Sequence, residues 1–173
     1  MKPTEFFSAY AHYAVESQLD TRVPASVTLA QAALESGWGE WAPKSNFFGV
    51  KGTGLVAEGL RKMVREGHYR DGFTPVPPDL QVLWTREWIG GRYVRVQDVF
   101  AAYPSPKEGF DAHGRVLARV KRYSGAFLAH DGLEFAVAVA NAGYATDPYY
   151  ASKLTGLIRK WNLMQYDELA ALA

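Results

Sequence analysis

Apolar and polar positions recur along this chain with two different periods, and the change of period marks its parts. From Thr4 to Leu19, Phe6, Tyr10, Tyr13 and Ser17 recur at helical spacing, with Thr4 placed to cap and Asp20-Thr21 to break the pattern. A first amphipathic helix is expected there. A second starts near Pro24, carries Val27, Ala30 and Leu34 as its apolar stripe, and ends at Gly37, a residue suited to a left-handed cap. Between Phe47 and Asp79 the period is lost. Gly49, Gly52, Gly54, Gly59, Gly67, Gly72 and the Pro75, Pro77, Pro78 cluster punctuate a stretch in which loops are expected to dominate.

From Gln81 to Ala101 the period becomes two, with Leu83, Thr85, Glu87 and Ile89 on one face and Trp84, Arg86 and Trp88 on the other. Gly90-Gly91 reads as a two-residue hairpin turn and Tyr93 to Val99 as the returning strand, which sets Glu87 opposite Val94 and Trp88 opposite Tyr93. Helical spacing then resumes. Ser105-Pro106-Lys107-Glu108 has the form of a capping box, ahead of Phe110, Leu117 and Val120 on one side. Short helices are expected at Ser124 to Ala129 and Leu133 to Asn141. A stronger one opens at Asp147-Pro148, with Tyr150, Leu154, Leu157, Ile158 and Trp161 in phase, and the tail after Asn162 is expected to fray. The sum is an α+β chain, mainly helical with one small antiparallel hairpin, read as a single domain over 1–173.

Composition narrows what such a fold could do. With 173 residues and 48% apolar content, the chain can bury one substantial core. Its formal charge is +1, from 19 basic and 18 acidic residues, so no global field draws in a nucleic acid. It has no cysteine, no Sec-type leader pattern and no run approaching the ~18–20 apolar residues of a membrane span. His12, His68, His113 and His130 are scattered rather than paired at metal-ligand spacing, and neither a phosphate-binding glycine loop nor a G-x-S-x-G elbow is present. No metal or cofactor is expected. Aromatic residues make up 14% of the chain, and rings that fill cores also stack on sugar faces, which brings carbohydrate forward as a ligand. Arg61, Lys62, Arg65, His68 and Arg70, diluted by Glu66 and Asp71, read either as a solvated loop face or as a contact for an anionic polymer.

Candidate chemistry gathers at Thr28, Gln31, Glu35 and Trp38, spaced at three and four. If the helix persists to Trp38, they form a polar and aromatic strip, with Glu35 at the negative end of the helix dipole. A carboxyl there, desolvated by Trp38 or another ring, has its pKa raised as a general acid requires, although a surface glutamate at a helix end fits the same pattern. Glu87 on the hairpin is a second carboxylate or an ordinary cross-strand acid. Asn46, Phe47 and Phe48 fit a turn and core packing as well as ligand contact. In Gly143 to Pro148, Thr146 or Asp147 can cap the last helix, while Tyr144 has no evident structural task.

Two motifs then become decisive together. Ala30-Gln-Ala-Ala-Leu-Glu-Ser-Gly-Trp-Gly39, followed by Ser45-Asn-Phe-Phe-Gly-Val-Lys-Gly52, resembles the signature of the family 73 glycoside hydrolases, which are peptidoglycan-cleaving glucosaminidases. The likeness continues through Thr85-Arg-Glu-Trp88, Phe100-Ala-Ala-Tyr-Pro-Ser105 and Ala142-Gly-Tyr-Ala-Thr-Asp-Pro148, from about Pro24 to Trp161. Thr53 to Asp79 is the least family-like part. The resemblance implies a lysozyme-like fold in which a helical lobe and a small hairpin lobe flank a substrate groove. It implies Glu35 as catalytic acid, Glu87 as the second acid and Tyr144 beside the first. Gln31, Trp38, Asn46, Phe47, Phe48 and Thr146 are the candidate substrate contacts.

The implied reaction is cleavage of the peptidoglycan glycan strand after N-acetylglucosamine, with attack by water activated at Glu87 or by the substrate's own acetamido group. Carboxyls about 5 to 5.5 Å apart indicate a direct nucleophile, and roughly 6.5 to 9.5 Å leaves room for water. Muramidase or lytic transglycosylase chemistry shares the fold, and a catalytically silent peptidoglycan-binding module is the alternative of another class. The implied setting is the bacterial cell wall, reached by a monomer without stable membrane association, as by a phage or prophage endolysin released through a holin.

Overall fold

The computed structural model describes residues 1–172. Its helices are α1 (Pro3–Thr21), α2 (Ala25–Glu35), α3 (Gly54–Arg65), α4 (Pro106–Arg119), α5 (Gly132–Asn141), α6 (Tyr150–Lys160) and α7 (Met164–Ala171), with tighter helical turns at Pro43–Ser45 and Lys121–Leu128. Strands β1 (Leu80–Ile89) and β2 (Arg92–Ala101) form one antiparallel hairpin. The architecture is thus a mainly helical body with a two-stranded hairpin, as the periods predict.

The body is built around α2, whose residues from Ala25 to Ala33 are all buried. A helix apolar or small on every side suits a position at the centre of a bundle, and α1, α5, α6 and α7 pack around it. Thr28 and Gln31 therefore do not belong to a solvent-facing polar strip; both are fully buried. Phe6, Leu29, Phe110, Leu117, Leu154 and Ile158 fill the space between the helices. The tail does not fray. Leu163 is buried and α7 returns to the start of α2, where the Asp167 carboxylate accepts from the Ser26 amide at 2.7 Å and the Ser26 hydroxyl at 2.6 Å.

The second lobe holds the main departure from the sequence pattern. The stretch expected to be loops contains α3, which lays Ala57 and Leu60 on Leu80 and Val99 with Val76 and Val82 beside them, forming a separate small core. Only two apolar positions of α3 are buried, and Gly54 and Gly59 interrupt the pattern, so no sustained period announces it. Arg61 is not a loop cation: it pairs with Asp98 at 2.9 Å and donates to the Gly52 and Val99 carbonyls. Gly52 lies where this lobe meets the body, and a Cβ there would come 2.7 Å from Leu80 Cδ2 and 3.2 Å from Val99 Cγ1.

The hairpin register matches the expected one, with Glu87 opposite Val94 and Trp88 opposite Tyr93. Its Gly90 and Gly91 both have positive φ, 57° and 81°, as a turn that follows the strand twist demands. The Trp88 side chain lies outside the described residues. At α4 the expected capping box is incomplete, because the Ser105 hydroxyl meets the Glu108 carboxylate rather than a backbone amide. Asp147 accepts from the Tyr149 amide at 2.8 Å, just ahead of the first turn of α6.

Candidate active site

Between the lobes runs a cleft of about 720 Å³. The body contributes Glu35, Asn46 and Gly49, and the hairpin contributes Trp84, Thr85, Arg86, Arg95 and Phe100. Glu35 is the last residue of α2, where the chain leaves the helix through Gly37, Trp38 and Gly39, all at positive φ. That reversal carries the backbone away and leaves the carboxyl facing the cleft.

The Glu35 side chain is open to solvent on the cleft side but surrounded on the other, and desolvation raises its pKa above the usual carboxylate range. A single hydrogen bond works in the opposite direction: the Tyr150 hydroxyl donates to Glu35 Oε1 at 2.9 Å. Tyr150 in turn receives a hydrogen bond from Gln31 Nε2 at 3.2 Å. Burial, and then the neighbouring Glu35 charge, push the Tyr150 pKa up, so it stays a neutral donor.

Tyr144 stacks on Tyr150 with ring centroids 5.6 Å apart and planes within 16°. Its hydroxyl lies 3.1 Å from His113 Nε2. His113 is fully enclosed, stacks on Phe48, and burial lowers its pKa to about 3, so the imidazole is neutral. Burial also raises the Tyr144 pKa, with the Glu35 charge adding to it. Behind one carboxyl, then, stands a layer of uncharged polar groups from α2, α4, α6 and the loop before α6.

Several candidates occupy other places. Trp38 is packed between Phe6, Phe7 and Trp161, with centroids 5.7 to 6.2 Å away, and does not line this cleft. Because α2 stops at Glu35, Trp38 leaves the helical strip. Phe47 and Phe48 are core residues against Phe110, and Gln31 reaches the cleft only through Tyr150. Asn46 borders the cleft, but its amide is committed to the Val50 and Ala101 carbonyls and its oxygen to the Val50 amide, each at 2.9 Å. It fastens the loop to the base of the hairpin. Thr146 is exposed in the loop before α6.

Glu87 is not among the residues lining the cleft. Its Oε1 sits 3.1 Å from Lys51 Nζ, which also binds Asp98 at 2.6 Å. Tyr150 and His113 were hidden in the sequence. Tyr150 falls on the apolar stripe of its helix, and a lone histidine on a helix carries no signal until Tyr144 is seen against it. Among the described residues no cluster of His, Asp and Glu could hold a metal ion, and no helix is long and apolar enough to cross a membrane.

Residues 11–163 match the profile of a family described as glucosaminidase, mannosyl-glycoprotein endo-beta-N-acetylglucosaminidase. The chain is 35% identical over 149 residues to the peptidoglycan hydrolase FlgJ of Salmonella typhimurium, covering 82% of this chain and 41% of that protein. It is 32% identical over 176 residues to an autolysin of Enterococcus faecalis, covering 95% of this chain and 21% of that one. It thus spans less than half the length of both relatives. The fold superposes on a C-terminally truncated glycoside hydrolase domain of Salmonella typhimurium FlgJ with a TM-score of 0.68 at 32% identity, covering 94% of this chain and 99% of that one.

Proposed function

Because the chain belongs to the glucosaminidase family, we propose that it is a glycoside hydrolase that cleaves the glycan strand of peptidoglycan after N-acetylglucosamine, with Glu35 as general acid. The observation that carries this reading is the Glu35 carboxyl, presented to an interlobe cleft with its pKa raised by desolvation and one hydroxyl, that of Tyr150, holding its orientation. A polymer laid along the cleft brings a glycosidic oxygen to Glu35, which gives its proton to the leaving group.

For the attack, the Lys51 tether on Glu87 favours the substrate's own acetamido group. Its carbonyl oxygen bonds to the anomeric carbon as the glycosidic bond breaks, giving a cyclic oxazolinium ion. Water then opens that ring and returns a proton to Glu35, with the anomeric configuration retained. The role proposed for Tyr144 is to help hold the acetamido group, although its hydroxyl meets His113 and it, like Glu87, is not among the residues lining the cleft. In the second reading Glu87 leaves Lys51 and activates water, which inverts the anomeric carbon.

Mass spectrometry of digested cell walls tests the bond. Reducing-end N-acetylglucosamine supports the proposal, reducing-end or anhydro-muramic acid assigns the muramidase or transglycosylase reaction, and absence of products leaves a binding module. The anomer formed first, read by proton NMR, separates the two attacks. The setting proposed is the bacterial cell wall, with the chain acting as a monomer, which light scattering checks. Delivery as a phage or prophage endolysin is tested by whether a holin gene neighbours this one.

A further inference from the structure

Two arginines face each other on the hairpin. Arg86 of β1 pairs directly with Arg95 of β2, which sets their Cα atoms roughly 4.5–5.5 Å apart with both side chains on one face. Like charges so placed destabilise a sheet. Elsewhere on this lobe Lys51 joins Glu87 and Asp98, and Arg61 joins Asp98. Among the described residues no carboxylate pairs with Arg86 or Arg95. The Arg95 guanidinium instead lies over the Trp84 ring, 4.8 Å from its centroid, which holds a cation in place without neutralising it.

All three side chains line the cleft that Glu35 also lines. The remaining charged group on its wall is Asp71, whose Oδ1 accepts from the Tyr69 hydroxyl at 3.3 Å. We infer that Arg86 and Arg95, backed by Trp84, form a subsite for a free carboxylate of the peptide stems that peptidoglycan strands carry. This rests on the peptidoglycan reading above. A carboxylate set between two guanidinium forks removes their repulsion and gains charge-assisted, bidentate hydrogen bonds. The sugars offer no such group. N-acetylglucosamine is uncharged and the lactyl carboxyl of muramic acid is taken up in the amide to the stem, so the carboxylates of a stem-bearing strand are those of the peptide.

Two forms of purified strands test this: stems intact, and stem carboxylates converted to amides with carbodiimide and ammonia. Initial rates of reducing-end release below saturation report kcat/KM. The wild type should prefer intact over amidated strands by roughly tenfold or more. Arg86→Gln and Arg95→Gln should each shrink that ratio, and the double variant should bring it near one. A wild-type ratio of one, or an unchanged ratio in the double variant, overturns the subsite. So does a preference that survives amidation and disappears when phosphate-bearing wall polymers are stripped away. Neither glutamine variant should melt below the wild type, since each relieves a like-charge pair; a clear fall in Tm would make the pair structural instead. If the wild type releases no reducing ends from either form, the proposed activity fails rather than the subsite.

Discussion

Glu35 and Glu87 are both glutamates inside family-like motifs, and the two lobes treat them differently. Glu35 ends a helix buried on all sides and is oriented by one neutral hydroxyl, which is itself held by Gln31. Glu87 lies on a hairpin whose core with α3 is small, and a lysine shared with Asp98 ties it down. Desolvation lets the Glu35 carboxyl keep its proton to higher pH, whereas Glu87 is engaged in an ion pair at the surface of the hairpin. In the proposed reaction the body keeps a proton available and the hairpin forms the opposite wall of the cleft.

The largest test of that contrast is Glu35→Gln, which keeps the shape of the side chain and removes the transferable proton. It should lower kcat by about 10²–10⁴-fold with an unchanged Tm, and near-normal turnover would remove Glu35 from its proposed role. Tyr150→Phe comes next, with a loss in kcat/KM of about tenfold. A general acid works protonated, so activity falls as pH rises through the raised pKa of Glu35. The Tyr150 hydrogen bond holds that pKa down, so its removal should move the alkaline limb of the pH–rate profile to higher pH. A shift in the other direction would contradict the assigned role of Tyr150.

Glu87→Gln should cost less than about tenfold under substrate-assisted attack, because general-base catalysis by a side chain is itself worth about 10²–10⁴-fold. A loss of that larger size, with an inverted product, would make the hairpin carboxylate an equal partner of Glu35. The smallest effect on chemistry is expected from Gly52→Ala, which crowds Leu80 and Val99 and should destabilise by about 1–3 kcal/mol. Protection measured by hydrogen exchange should then fall in β1, β2 and α3 and be kept in α2, if the two cores are separable.

Much of this was legible in the chain. Strict alternation around Gly90-Gly91 sets the hairpin register residue by residue, because a one-residue slip would turn every side chain to the wrong face. Helices α1, α2, α4 and α6 announce themselves through repeated apolar positions. Helix α3 does not, since two buried residues suffice to dock it on a small sheet, and α7 is tied by an Asp167–Ser26 contact 141 positions apart. Within the candidate site, Glu35 stands out through its motif. The aromatic residues around it were harder to sort, because Trp38, Phe47 and Tyr150 have the same apolar bulk whether they meet a sugar or a core.

The sequence by itself determined the class of fold, the strand register and the position of the acid at the end of α2, all of which follow from local period and local breakers. Only the tertiary structure decided what surrounds that acid. Tyr150 lies 115 positions from Glu35 and His113 lies 31 from Tyr144, and such contacts depend on how helices stack rather than on any spacing along the chain. The pairing of Arg86 with Arg95 belongs to the first kind, while its place on the wall of the same cleft as Glu35 belongs to the second.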